Sequence, residues 1–232
     1  MKSLKTIAIT LCAALVVSCG MSNTGKGALI GAGGGAGLGA IIGAIAGNTA
    51  VGAAIGGAVG AGAGAIIGKK MDKAKKEAEA VQNAQVEAVT DANGLEAVKV
   101  TFDSGILFAT GSSTLSSTAK TSLFQFANVL KGNADCDVAV QGYTDNAGWK
   151  NSTAAQSQQK NLDLSQQRAQ SVTNYLLSQG VNPAQIRSTM GYGESNPVAD
   201  SSTAAGKAQN RRVEVYMYAS QKMIQEAQQQ AQ

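Results

Sequence analysis

The chain has 232 residues, among them 28 glycines and 2 prolines, with a formal net charge of +4 and a charged fraction of 15%. That small excess leaves no electrostatic footprint for nucleic acid, and the length suits one domain of about 100–150 residues with extensions rather than two. The lack of histidine excludes a Ser-His-Asp triad, a Cys-His dyad and His-ligated zinc, and the three cysteines, Cys12, Cys19 and Cys136, are too few and scattered for a disulfide framework or a four-thiolate site.

The first residues form an address. Lys2 and Lys5 make a positive n-region, and the apolar run Thr6 to Val17 has the length of a secretory h-region, too short for a bilayer span of about 20 residues. Val16-Val17-Ser18-Cys19 resembles a bacterial lipobox, which implies cleavage before Cys19 and acylation of that residue. Several acyl chains on one cysteine anchor firmly, because each buried methylene contributes about 0.8 kcal/mol. By analogy with proteobacterial lipoproteins, Gly20 in place of an aspartate points to the outer membrane.

Of the 28 glycines, 17 fall between Gly25 and Gly68. Eleven of them stand in period-four rows, at 27, 31, 35, 39, 43 and 47, then at 52, 56, 60, 64 and 68, with Asn48 and Thr49 in the break. A period of four lays a glycine row along one helix face, where another backbone can approach closely. Each arm of about 20 residues spans roughly 30 Å as a helix. The block resembles the glycine-zipper segments of envelope proteins, which implies a hairpin over residues 27–68 that meets outer-membrane lipid or self-associates. Residues 69–94 switch to a lysine- and glutamate-rich composition and read as an exposed helical linker.

A folded α+β unit is expected over residues 95–219. Val98, Val100 and Phe102 alternate with polar residues, and Asp103-Ser104-Gly105 reads as a hairpin turn into Ile106-Leu107-Phe108. Ala119, Leu123, Phe126, Ala127 and Leu130 define an amphipathic helix closed by Gly132. A strand through Val138 and Val140 runs into Gly142-Tyr143-Thr144-Asp145-Asn146. A second helix, with Leu164, Ala169, Val172 and Leu176 on one face, is expected to be capped near Asp163 or Ser165 and to stop at Gly180. Strands near 186–192 and 213–218 complete a sheet covered by helices. Cys136 reads as a small buried hydrophobe on a strand.

Five motifs in order carry a specific resemblance: Leu107-Phe108-Ala109-Thr110-Gly111, Tyr143-Thr144-Asp145-Asn146-Ala147-Gly148, Asn161 with Leu164-Ser165 and Arg168-Ala169, Gly191-Tyr192-Gly193-Glu194, and Asn210-Arg211-Arg212-Val213-Glu214. Together they resemble the OmpA C-terminal-like domain of the OmpA, MotB and Pal type. The resemblance implies a βαβαβ-type sheet with helices packed on it and non-covalent binding of peptidoglycan, without catalysis or cofactor. It implies that Asp145 takes the ammonium and Arg168 the carboxylate of a diaminopimelate-type residue in the stem peptide, chemistry that suits an acceptor-only carboxylate and a two-pronged guanidinium. Thr144 and Asn161 join them by hydrogen bonding, and Arg211 or Arg212 supports the site or the negative end of the ligand.

Residues 149–160 exceed the usual spacing between these motifs by about eight residues and are expected to bulge as a polar loop. Trp149, the only tryptophan, either covers the ligand or anchors that loop. Residues 220–232 read as a frayed Gln-rich helix. The expected layout is signal peptide 1–18, lipidated tether 19–26, glycine-zipper hairpin 27–68, linker 69–94, wall-binding domain 95–219 and tail 220–232. The expected function is a lipid-anchored outer-membrane tether with its C-terminal domain in the periplasm, holding peptidoglycan stem peptides. The alternative is an oligomeric glycine-zipper assembly that wall binding only positions.

Overall fold

The computed structural model describes residues 59–91 and 94–232. The lipobox, Cys19 and the glycine rows up to residue 58 lie outside the described residues. Helix α1 (Ala61–Glu79) leads into strand β1 (Ala84–Thr90), which pairs antiparallel with β2 (Glu96–Asp103). A single turn, α2 (Ser104–Leu107), and helix α3 (Ser117–Gly132) precede β3 (Cys136–Gly142). Helix α4 (Ala154–Ser178), a 3-10 turn at Pro183–Gln185, β4 (Ile186–Gly191), α5 (Ala204–Asn210), β5 (Arg212–Ala219) and α6 (Gln221–Gln230) complete the order. The sheet runs β1-β2-β5-β3-β4, with β3 and β4 parallel and the other pairs antiparallel. This is the α+β architecture that the motifs imply.

Strand alternation divides the sheet into two faces. Val98, Val100 and Phe102 of β2, Val138 and Val140 of β3, and Val213, Val215 and Met217 of β5 enter one core with α1, α3, α4 and α6. Phe102 meets Phe126 of α3 edge-on, with ring centroids 5.6 Å apart, the geometry aromatic quadrupoles favour. On the opposite face Val89, Ala97, Ala139, Tyr216 and Tyr218 form a smaller cluster. Cys136 is buried at the start of β3, and burial pushes its thiol up to about 12, so it is an inert hydrophobe at neutral pH.

Four local readings change. Helix α1 does not stand in solvent: Ala63, Ile67, Met71, Ala74 and Ala78, spaced by three or four residues, are buried in the main core. It also begins at Ala61, so the last turns of the second glycine arm belong to this packed helix, and the expected linker becomes strand at Ala84. Asp103-Ser104-Gly105 does not turn a hairpin. Asp103 caps α2, its carboxylate accepting from Gly105 N, and β2 pairs instead with β1 and β5. The Gln-rich tail is docked: Ser220 caps α6 and buries Met223, Ile224 and Ala227. Among the described residues no helix is long and apolar enough to cross a membrane.

The fourth change concerns residues 149–160. Thr153 and Gln156 form a reciprocal capping box, Gln156 N donating to Thr153 Oγ1 and Thr153 N to Gln156 Oε1, so the cap of α4 stands ten residues before Asp163. Most of the added segment is thus extra helix, and Arg168 stands in mid-helix. Two glycines let this helix lie flush on the sheet. A Cβ at Gly142 would collide with the Ser165 carbonyl, and one at Gly191 with the Gln166 backbone nitrogen. This close approach sets Asn161 and Arg168 beside the end of β3.

Candidate functional site

The site lies where β3 ends and β5 begins. Because the two strands are antiparallel, the Gly142–Val213 pair is followed by Tyr143 N donating to the Arg212 carbonyl. Thr144 N then donates to Gly193 O, pinning the backbone just before Asp145. The continued register brings Arg211 beside Asp145, Arg211 Nη1 donating to Oδ2 at 2.5 Å. Ala147 N donates to the other oxygen, Oδ1, at 3.0 Å. The carboxylate is thus oriented by one backbone and one side-chain donor, and it is 8% exposed.

Arg168 approaches from α4 and is 3% exposed. Its Nε donates to Ser112 O at 2.9 Å and its Nη2 to Ala109 O at 3.4 Å, and its guanidinium lies over the Phe108 ring. Burial lowers its pKa, the neighbouring Arg211 charge adds to this, and the Asp145 carboxylate opposes both. The same environment therefore contains two cations and one anion. Among the described residues no acceptor is bonded to Arg168 Nη1.

Asn161 is buried and fully engaged. Its Nδ2 reaches Asp145 O at 3.4 Å, Ala147 O at 3.2 Å and Glu194 Oε2 at 3.2 Å, while its Oδ1 accepts from Trp149 Nε1 at 2.7 Å. It clamps the loop that carries Asp145. Trp149 N also donates to Ser157 Oγ, which ties that loop to the first turns of α4.

These groups line one cleft of about 750 Å³, shared by Thr144, Asp145, Asn161, Arg168 and Arg211 with Trp149 at its side. Beneath its wall, the Thr144 Oγ1 and Ser104 Oγ hydroxyls are closed off from solvent and have no hydrogen-bond partner among the described residues, a cost of about 1–3 kcal/mol each.

Five of the six residues singled out in the sequence converge here, and Arg212 does not. As the next residue along the strand it points to the opposite face, where its Nε donates to Glu214 Oε1 at 2.7 Å and its other nitrogens to the Asn210 and Asn196 carbonyls. It also stacks over Tyr143, 3.8 Å from the ring centroid. Arg212 holds the fold behind the site. Conversely, Ser104, Phe108 and the Ala109 and Ser112 carbonyls belong to the site although only their motif, not their role, is visible in sequence.

The fold and cleft define an α+β domain with a charged groove at the end of its central strands. Residues 107–211 match the OmpA family, and residues 1–72 match the YMGG-like Gly-zipper family, so the chain carries an OmpA-family domain behind a glycine-zipper segment. It is 46% identical to the probable lipoprotein YiaD of Escherichia coli (strain K12) over 116 residues, 50% of this chain and 46% of that protein. It is 42% identical to the peptidoglycan-binding protein ArfA of Mycobacterium tuberculosis (strain ATCC 25618 / H37Rv) over 93 residues, 40% of this chain and 26% of that one. The chain therefore spans less than half the length of these curated relatives. The solved cell wall anchor of the T6SS from Pseudomonas aeruginosa aligns with a TM-score of 0.51 at 27% identity, covering 65% of this chain and 97% of that one.

Proposed function

We propose that this chain is a lipid-anchored outer-membrane protein that binds peptidoglycan non-covalently through the Asp145–Arg168 cleft and so tethers the envelope to the wall. The observation that carries this reading is the convergence of a fixed carboxylate and two guanidiniums on one groove. A diaminopimelate-type residue presents an ammonium and a carboxylate on one short side chain. Asp145 suits the first and Arg168, with Arg211, the second, each through charge-assisted hydrogen bonds. The names of the relatives, a probable lipoprotein and a peptidoglycan-binding protein, support the same reading. Cys19 carries the lipid, the C-terminal domain faces the periplasm, and the glycine rows ahead of residue 59 associate with membrane or with other copies.

Co-sedimentation of the full chain in detergent with purified sacculi tests the site. Asp145→Ala and Arg168→Ala are each expected to weaken binding at least about tenfold, since truncating one partner of a buried charged contact costs about 2–5 kcal/mol. Wild-type retention of both variants on sacculi would overturn the assignment. Incorporation of labelled palmitate into the parent but not into Cys19→Ala tests the anchor.

A further inference from the structure

We propose that Trp149 is a stacking platform for a sugar ring of the glycan strand, so that the cleft reads the junction of sugar and stem peptide rather than the peptide alone. This rests on the peptidoglycan reading above and adds a second ligand class to the same groove. The groove is graded. Asp145 and Arg168 form a buried, charged floor, whereas Trp149 is half-buried and Lys150 beside it exposed. A stem peptide that sends its zwitterionic residue to the floor carries its sugar attachment outward, past this rim.

The indole is held ready for such a contact. Its Nε1 donates to Asn161 Oδ1 at 2.7 Å, its backbone nitrogen donates to Ser157 Oγ at 3.0 Å, and the Lys160 ammonium lies 5.8 Å from the ring centroid. A ring fixed by its own polar atom and by the capped helix behind it loses little side-chain entropy when a ligand arrives. Its flat apolar area matches the C–H face of a pyranose, whose hydroxyls project sideways toward the polar rim. Gly111, at φ +68, lies against the edge of the indole: among the described residues, the nearest atom to where its Cβ would stand is indole Cη2, at 3.9 Å, so a larger residue there would crowd the ring.

The test compares two probes on the full chain in detergent micelles, a disaccharide–tripeptide muropeptide and the same tripeptide without sugars, by calorimetry. The parent is expected to bind the muropeptide about tenfold more tightly, a gain in the range of buried aromatic anchors. Because Trp149 is the only tryptophan, the muropeptide is also expected to shift the protein's fluorescence more than the peptide does. Because its indole also holds Asn161, Trp149→Ala is expected to weaken both probes, but the muropeptide about tenfold more than the tripeptide, so that the advantage of the sugars is lost. Trp149→Phe, which keeps a ring but loses the bond to Asn161, is expected to retain most of that advantage. An equal loss on both probes in Trp149→Ala, or a Trp149→Phe that behaves like Trp149→Ala, overturns the platform in favour of a purely anchoring indole. A parent that binds both probes equally also overturns it while leaving the peptide site intact. A parent that binds neither overturns the peptidoglycan reading and this inference with it.

Discussion

Asp145 and Arg211 already form an ion pair, with Nη1 2.5 Å from Oδ2, across the end of the β3–β5 ladder. The carboxylate assigned to a ligand ammonium is therefore occupied by a guanidinium, whose side chain is 38% exposed and can swing. Under the proposed peptidoglycan reading, a ligand ammonium is expected to share or displace Arg211, which frees its guanidinium for the ligand carboxylate.

This exchange gives Arg211→Ala a sign that depends on the ligand. For a stem peptide whose diamino acid carries a side-chain carboxylate, the variant is expected to bind about 5–30-fold more weakly, the size of one partly exposed charged contact. For the same peptide with lysine in that place, affinity is expected to hold or rise, because only the competitor is lost. Titration calorimetry of both peptides checks this, and equal weakening of the two would remove Arg211 from the exchange. Stability is expected to fall by about 1–3 kcal/mol, because the variant leaves the buried Asp145 carboxylate with Ala147 N as its remaining donor.

Arg168 has two tasks, and Arg168→Lys separates them. A lysine keeps the charge but cannot reproduce the fork that holds Ser112 O and Ala109 O together. The variant is expected to lose about 1–2 kcal/mol of stability and at least about tenfold in sacculus binding. Amide exchange of residues 109–115, which include the Phe108–Leu115 bridge partner and the Ser112 N to Ala109 O bond, is expected to accelerate more than that of β3. Uniform acceleration across the domain would make Arg168 a general core residue rather than the clamp on this loop.

Which parts of this were legible in the sequence follows from what each contact is made of. The charged residues of the cleft stood in motifs, and strand alternation was plain in β2, β3 and β5 because their inward residues are Val, Phe and Met. The carbonyls of Ala109 and Ser112 that hold Arg168 carry no side-chain signal at all. Arg211 and Arg212 were interchangeable on paper, and only the register of β5 against β3 assigns one to the cleft and the other to the opposite face. The early start of α4 was written in Thr153-x-x-Gln156, a capping-box spacing, but the segment has no apolar stripe and so read as loop. β1 was masked by the lysine-rich helix before it, since four of its seven residues are exposed and only Val89 is buried.

Arg212 offers a control on the binding site. It is 4% exposed and Glu214 3%, and Tyr216 OH donates to the second carboxylate oxygen, Oε2. Arg212→Ala strands a buried carboxylate and is expected to cost about 3–5 kcal/mol. Arg212→Met combined with Glu214→Leu removes both charges and is expected to cost much less than the sum of the two single changes. Denaturant melts of the three variants check the coupling. At a temperature where it is folded, the double variant is expected to bind sacculi like the parent, which a ligand-contacting Arg212 would not allow.

The tail helix α6 is docked in the core that it shares with α1. Met223 is fully buried and Ile224 and Ala227 nearly so, in the same core as Ile67 and Met71 of α1. Met223→Ala removes a long apolar side chain from a close-packed site and is expected to cost about 2–4 kcal/mol, whereas a frayed tail would give a change within about 0.5 kcal/mol. Because α1 is the element that joins the glycine rows to the sheet, its grip depends on α6 more than on its own propensity. Gly62, Gly64 and Gly68 weaken the first turns by about 1 kcal/mol each relative to alanine. Loss of the α6 contact is therefore expected to open α1 before the sheet, with trypsin cutting first among Lys69, Lys70, Lys73, Lys75 and Lys76. Cleavage that starts instead at Arg187 or Lys207, or at the same rate as in the parent, would show that α1 is held without α6.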